Sequence, residues 1–322
     1  MSDLGTLLPD IWLLLIGFLL LYYAVTDGAN LGVGMLSLFS RDERERGLHI
    51  GAIQGTWHNA QTWLVLLGGM LFGAFPLFYG LILSALYLPL LAMLVGLIFR
   101  GVAMEFREHS PRKAAWGALF GAGSAVAAIG QGAALGGLLS GSLETRGGQF
   151  VGSIWAWANP YGLLVCLGVV LGYAMLGANF LILKTEGRLQ RLSFRWAWIA
   201  STLTLAVSLA VHTWTVLRYP HVADKWSGSP ETLRVALFPV LAGITYGLYF
   251  LSLWRRRERA PLLWNTLLLV FSFVGLSVGF YPDMIPGLIS SPLSIQEAAA
   301  SPKTLSFMLA VVAILLPVIL GS

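Results

Sequence analysis

Long apolar runs separated by short polar stretches dominate the chain, and the runs are near 20 residues long, the length a helix needs to cross the hydrocarbon core of a bilayer. None shows the alternation of a barrel strand, so the spans read as helices. Nine segments emerge, at about 11–39, 51–74, 77–99, 114–140, 160–183, 195–217, 233–253, 261–281 and 304–321. Polar punctuation runs from Arg41 to Arg46, Arg107 to Lys113, Lys184 to Arg191 and Arg255 to Arg259. Only the second and third segments are joined by a very short connection, near Phe75-Pro76, where proline cannot continue a helix and a tight hairpin is expected. The first run starts too far from the N-terminus, and is too long, for the h-region of a cleaved signal peptide.

Composition agrees. Hydrophobic residues make up 57% and charged residues 11% of the 322 positions, against roughly 45–50% and about 25% in globular domains. Too few charges remain to cover a soluble surface. A secreted disulfide scaffold, a DNA-binding domain and a soluble enzyme are thereby excluded, and the net charge of +5 is no nucleic-acid footprint. The single cysteine, Cys166, lies in an apolar run and reads as a small core hydrophobe.

The basic residues serve instead as a ruler of topology. Loops after odd-numbered segments hold Arg41, Arg44, Arg46, Arg100, Arg107, Arg112, Lys113, Lys184, Arg188, Arg191, Arg195, Arg255, Arg256, Arg257 and Arg259, which is 15 of the 20. Loops after even-numbered segments hold Arg146, Arg218, Lys225, Arg234 and Lys303. The positive-inside rule then predicts an outside N-terminus and a cytoplasmic C-terminus, as expected for a multi-pass protein of the bacterial cytoplasmic membrane. Segments one and five share an echo: Tyr23-Ala24-Val25-Thr26-Asp27-Gly28-Ala29-Asn30-Leu31 against Tyr173-Ala174-Met175-Leu176-Gly177-Ala178-Asn179-Phe180, with one gap. It predicts two parallel four-helix repeats, over 1–150 and 151–285, followed by a loop and ninth helix over 286–322.

Ionisable groups in membrane helices are costly, so those that occur are candidates for function. Asp27 is the one carboxylate interrupting a strongly apolar run. It either ends the helix at Asp27-Gly28 and opens a re-entrant stretch, or is a proton-accessible acid within the membrane. Gln54, His58 and Gln61 fall at i, i+4 and i+7, one helical face, beside Trp57, Asn59 and Trp63. His58 reads as a hydrogen-bonded packing residue, a proton relay or an axial ligand; His212 reads as packing, and His49, His109 and His221 as loop residues. Arg100, followed by Glu105 and Arg107, is either an ordinary cytoplasmic helix end or a contact for a lipid or quinone headgroup. Trp12, Trp155 and Trp157 sit where interfacial aromatic belts are expected. No basic residue is expected deep in a span, and there is no Walker loop, dinucleotide fingerprint or HExxH. With so thin a catalytic kit, any chemistry is expected in a partner.

These motifs resemble subunit II of the cytochrome bd-type quinol oxidases, including the cyanide-insensitive branch. The family's first-helix pattern, Thr-Asp-Gly-Phe-Asp-Leu-Gly-Val-Gly, stands here as Thr26-Asp27-Gly28-Ala29-Asn30-Leu31-Gly32-Val33-Gly34. Its Trp-Asp-Gly-Asn-x-x-Trp stands as Trp57-His58-Asn59-Ala60-Gln61-Thr62-Trp63, with Gly68-Gly69 following. Phe99-Arg100-Gly101-Val102-Ala103-Met104-Glu105-Phe106-Arg107 and Asn159-Pro160-Tyr161-Gly162 also look like the family. The resemblance runs from about Ile11 to the end.

It implies an all-α membrane subunit without catalytic haem, paired with a subunit I that carries the haems (b, d or both) and reduces oxygen with electrons from quinol. It further implies a scaffold role, a structural quinone in some members, lipid contacts, small accessory transmembrane subunits and part of a proton path. The proton-path candidates are His58, Asp27, Gln54 and Gln61. Those for a quinone or lipid headgroup are Trp57, Arg100, Trp63 and Glu105. No catalytic or metal-ligating residue is expected. Two departures remove acids: His58 replaces the second-helix aspartate and Asn30 the second carboxylate of the first-helix motif. Proton delivery through this chain is therefore expected to be histidine-mediated or absent. A third departure is the end at Gly321-Ser322, directly after the ninth segment, where the family usually continues into a short tail and truncation is an expectation. The rival readings are a proton-coupled transporter, which would need more buried polar groups in both halves, and a structural subunit of some other complex.

Overall fold

The computed structural model describes residues 2–146, 149–218, 232–285 and 293–321. His221, Lys225, the expected boundary at 286 and the last residue, Ser322, lie outside them. Twelve helices are described: α1 (Ser2–Ser37), α2 (Glu43–Ile53), α3 (Trp57–Ala74), α4 (Pro76–Ala85), α5 (Tyr87–His109), α6 (Lys113–Leu139), α7 (Pro160–Lys184), α8 (Gly187–Arg218), α9 (Thr232–Trp254), α10 (Ala260–Phe280), α11 (Ile295–Ala298) and α12 (Pro302–Gly321). Two small antiparallel ribbons join them, β1 (Thr145–Arg146) with β2 (Gln149–Phe150) and β3 (Asp283–Ile285) with β4 (Leu293–Ser294). Among the described residues seven helices are long and apolar enough to cross a membrane, eight if the bent α3–α4 pair is one span, and α12 is apolar over Pro302–Ile314.

The sharp turn expected at Phe75-Pro76 is present as a one-residue break at Phe75, but it joins α3 to a short helix rather than to a full span. α3 and α4 bend by 119° there, and the third expected segment, 77–99, is split between α4 and α5. Two prolines explain the split. Pro76 occupies the first turn of α4, and Pro89 the first turn of α5, positions where a missing N–H is harmless and a preceding helix cannot run on. The stretch Arg41 to Arg46, read as loop, is largely α2: the Asp42 side chain caps it by accepting from the Glu45 N–H at 2.7 Å. Other ends follow the same chemistry, with Asn159 capping α7 through the Gly162 N–H and a Ser294–Glu297 capping box opening α11.

α1 is the spine of the molecule. It runs unbroken through Asp27-Gly28, so the helix-break reading of Asp27 is wrong. Its glycines serve close packing: a Cβ at Gly32 would overlap the Tyr173 carbonyl of α7, and one at Gly177 would overlap the Gly32 backbone in return. α5 and α6 approach as closely. A Cβ at Gly123 would lie 2.8 Å from the Arg100 backbone nitrogen, and one at Gly130 2.6 Å from that of Met93. This small-residue packing is how membrane helices gain contact without a hydrophobic drive between them. Trp12, expected in an interfacial belt, is fully buried, and its indole N–H donates to the Leu305 carbonyl of α12 at 3.1 Å. His212 lies on the exposed side of α8.

Candidate functional site

Arg100, expected at a helix end, lies within α5 and is fully buried, so one basic residue does sit inside the helical body. Its guanidinium forks onto Asp27 of α1, with Nη1 donating to Oδ1 at 2.7 Å and Nη2 to Oδ2 at 3.2 Å. Neither side chain is exposed at all. A buried charge of either sign alone would be prohibitive, and the bidentate geometry is what allows both to remain. The α5–α6 glycine contact sets the depth at which Arg100 reaches α1.

The pair continues as a chain of donors. Tyr173 of α7 donates to Gln131 Oε1 of α6 at 2.7 Å. Gln131 Nε2 donates to the Tyr23 hydroxyl at 2.8 Å, and Tyr23 donates to Asp27 Oδ2 at 2.9 Å. All the donors run toward the carboxylate, so the anion is satisfied from both sides and four helices are tied at one point. An amide stands in the middle, and an amide does not pass on a proton in the way a carboxyl or imidazole does. Beyond one helical turn, Asn30 accepts from the Thr56 hydroxyl at 3.0 Å, and Asn179, its counterpart in the echo, accepts from Tyr249 at 3.1 Å.

Gln54, Trp57 and His58 stand against the C-terminal half of α5. His58 Nε2 lies 3.7 Å from Glu105 Oε1, and its side chain is 68% exposed. Its ring lies over Trp57 with centroids 3.7 Å apart, and Trp57 is itself buried. Gln54 donates to Glu108 at 2.9 Å. It caps the end of α2, whereas His58 and Gln61 belong to α3, so the expected single face of Gln54, His58 and Gln61 does not exist: the turn at 54–56 breaks it. Gln61 is half-buried and forms no hydrogen bond among the described residues. Trp63 is a core residue whose ring meets that of Tyr22 at a tilt of 56°, centroids 4.7 Å apart. Of the four headgroup candidates, Arg100, Trp57 and Trp63 are therefore buried, and Glu105 alone is exposed.

Glu105 stands five residues beyond Arg100, about 7.5 Å along the helix axis. The structure thus gathers Gln54, Trp57, His58 and Glu105 at the C-terminal turns of α5, sets Arg100 with Asp27 on a different, buried face of that helix, and leaves Gln61 and Trp63 out. Sequence reasoning missed Tyr23, Gln131 and Tyr173 as site residues. Gln131 had a signal, being the only amide in a glycine-rich apolar run, and the two tyrosines align in the internal echo. His49, read as a loop residue, is buried on α2 against Trp196, with Nδ1 donating to the Glu45 carbonyl at 2.9 Å. Burial holds its pKa below the usual histidine value, partly opposed by that hydrogen bond. Among the described residues there is no group of three metal-ligating side chains.

Comparison with known proteins gives consistent matches. Residues 8–322 match the family model described as cytochrome bd terminal oxidase subunit II. The chain is 28% identical to cytochrome bd-I ubiquinol oxidase subunit 2 of Escherichia coli K12, over 96% of this chain and 90% of that one. It is 30% identical to cytochrome bd ubiquinol oxidase subunit 2 of Bacillus subtilis, over 57% of this chain and 55% of the relative. The solved bd oxidase from Geobacillus thermodenitrificans shares the fold, with a TM-score of 0.77 at 19% identity, covering 98% of this chain and 96% of that one.

Proposed function

The chain belongs to the cytochrome bd terminal oxidase subunit II family, and from that premise we propose that it is the haem-free supporting subunit of a quinol:oxygen oxidoreductase. It is a multi-pass membrane protein and one part of an oxidase complex whose partner is a subunit I. In the proposed division of labour the partner holds the haems, oxidises quinol and reduces oxygen to water, while this chain holds the partner's helices in place. The two four-helix repeats, the ninth helix, the outside N-terminus and the cytoplasmic C-terminus belong to the same proposal.

The observation that carries it is the use made of the buried charges. Asp27 and Arg100 are spent on each other, and the Tyr23–Gln131–Tyr173 chain joins them to α6 and α7. A carboxylate so fully occupied is a structural tie between helices rather than a proton-loading site. Proton delivery through this chain is accordingly minor, and the partner's own path suffices. A structural quinone or lipid headgroup would meet this chain at His58 and Glu105, the exposed polar pair above the buried tie. The scaffold role is tested by producing subunit I without this chain. The expected result is loss of the assembled haem absorption and of quinol-driven oxygen uptake. Full oxygen uptake by the partner alone would show the scaffold role to be wrong.

A further inference from the structure

Three of the four basic loops that the sequence uses as a topological ruler converge on one cavity of about 520 Å³. Arg41 enters from the α1–α2 loop, Arg188, Arg191 and Arg195 from the first turns of α8, and Arg256 from the end of α9. Arg188, Arg191 and Arg195 are spaced i, i+3 and i+7, one face of the helix. Among the described residues none of these five guanidiniums pairs with a carboxylate; the ion pairs present involve Arg46, Arg100, Arg107 and His58. Of the acids nearby, Glu45 takes the Arg41 backbone N–H on Oε2, and Glu258 accepts from Gln190 Nε2 at 3.2 Å. Arg188 and Arg191 also stand at the positive end of the α8 dipole, where cations are disfavoured.

Backbone strain points to the same place. Arg256 has φ of 49°, in the left-handed region. It terminates α9 with its N–H on the Leu253 carbonyl at 3.0 Å and the Arg257 N–H on the Ser252 carbonyl at 3.0 Å. That is the helix-ending motif in which glycine is the usual residue. Here an arginine bears the strain, and its guanidinium lies 5.8 Å from the Phe194 ring centroid at the cavity wall. Trp196 and Trp198 complete an aromatic border. Repelling cations and a helix dipole of the same sign are each relieved by an anion in the cavity, and the strained Arg256 backbone places one further guanidinium at its wall.

We propose that this cavity binds a phosphate-bearing anion, and that the anion is the headgroup of an acidic phospholipid whose acyl chains lie along the aromatic border. Oxygen-rich phosphate suits several guanidinium forks at once, and basic pockets between membrane helices at a positively charged face take such headgroups. Free phosphate shares the headgroup chemistry but gains nothing from Phe194, Trp196 and Trp198. The site is separate from the Asp27–Arg100 tie and does not depend on the proton-path reading.

The test is native mass spectrometry of the purified, delipidated two-subunit complex titrated with phosphatidylglycerol, phosphatidylcholine or inorganic phosphate. The expected result is one tightly held phosphatidylglycerol, no comparable phosphatidylcholine, and no displacement by millimolar phosphate. The R191Q/R195Q variant should weaken that binding about twenty-fivefold, at about fivefold per arginine. R256G provides the control for misfolding: it should weaken lipid binding about fivefold while the thermal midpoint of the lipid-free complex holds or rises, because glycine removes the left-handed strain. Equal binding of both lipids, binding unaltered in R191Q/R195Q, or a lowered midpoint in R256G would overturn the proposal. Displacement of lipid by inorganic phosphate would overturn the assignment to a lipid.

Discussion

Replacing Asp27 with Asn leaves the Arg100 guanidinium charged and fully buried, with its fork on a neutral amide. Removing one partner of a buried ion pair costs about 3–5 kcal/mol, most of it the penalty for the charge left behind. Arg100→Gln makes the mirror error, since the Tyr23 hydroxyl at 2.9 Å is then the one remaining donor to Asp27. The double variant Asp27→Asn/Arg100→Gln removes both charges, so its cost should fall below that of either single variant, with a coupling of about 2–3 kcal/mol. Tyr23→Phe loses one hydrogen bond to a charged group, about 1.5–3 kcal/mol. The assay is equilibrium unfolding of the purified complex in mixed micelles, read by tryptophan fluorescence, together with proton uptake during turnover. Additive losses, or single variants each costing under about 1 kcal/mol, would refute the buried tie. So would an Asp27→Asn complex of unchanged stability that had lost proton uptake, since that result belongs to a proton-loading site.

Other consequences are accessible to simpler measurements. Gly32→Leu drives a side chain into the Tyr173 carbonyl and should abolish assembly of the complex, whereas a change at Gly68, where an added Cβ meets nothing within 4 Å, should leave the yield unaltered in the same purification. His58→Ala removes a side chain that is 68% exposed, so oxygen consumption and proton uptake should be unchanged; a fall in proton uptake would restore the relay role. For His49 the folded pKa lies below the unfolded value, so the unfolded chain takes up the proton first as the pH drops. Stability is then full above about pH 6.5 and falls below it until the folded pKa is passed. The groups facing the ring are Glu45 and Arg46 on α2, Ser40 before it and Trp196 from α8. His49→Gln should flatten the acid limb of a stability–pH profile, and an unaltered limb would show that another group causes it.

How much of this was legible in the sequence varies with the range of the interaction. Apolar runs mark helices because burial in lipid is decided residue by residue, so α6, α7 and α10 fall close to the expected segments, while α1 begins nine residues earlier than its apolar run. α2 was hidden because a hydropathy window reads Arg41 to Arg46 as a loop, although Asp42 followed by Glu45 is a capping signal. α4 was hidden because Pro76 was weighed and Pro89 was not. Arg100 was placed at a helix end for a similar reason: a charge terminates an apolar window whether or not the helix stops. Its partner is 73 residues away, and no local periodicity connects the two. What brings them together is the glycine face of α6, whose significance becomes visible only once α5 is packed against it. The converging arginines show the same limit, since their side of the membrane could be counted in the sequence but their common cavity could not.

In the function proposed above, this chain supports a haem-bearing partner and carries none of the redox chemistry itself. The most direct test is affinity purification of the tagged chain from its native membrane, with an absorption spectrum and the subunit ratio measured on the same sample. The expected result is a stoichiometric second subunit together with b- or d-type haem bands, and loss of those bands from this chain when the subunits are separated. A colourless chain that purifies alone and moves protons, or haem that stays with this chain after separation, would contradict it.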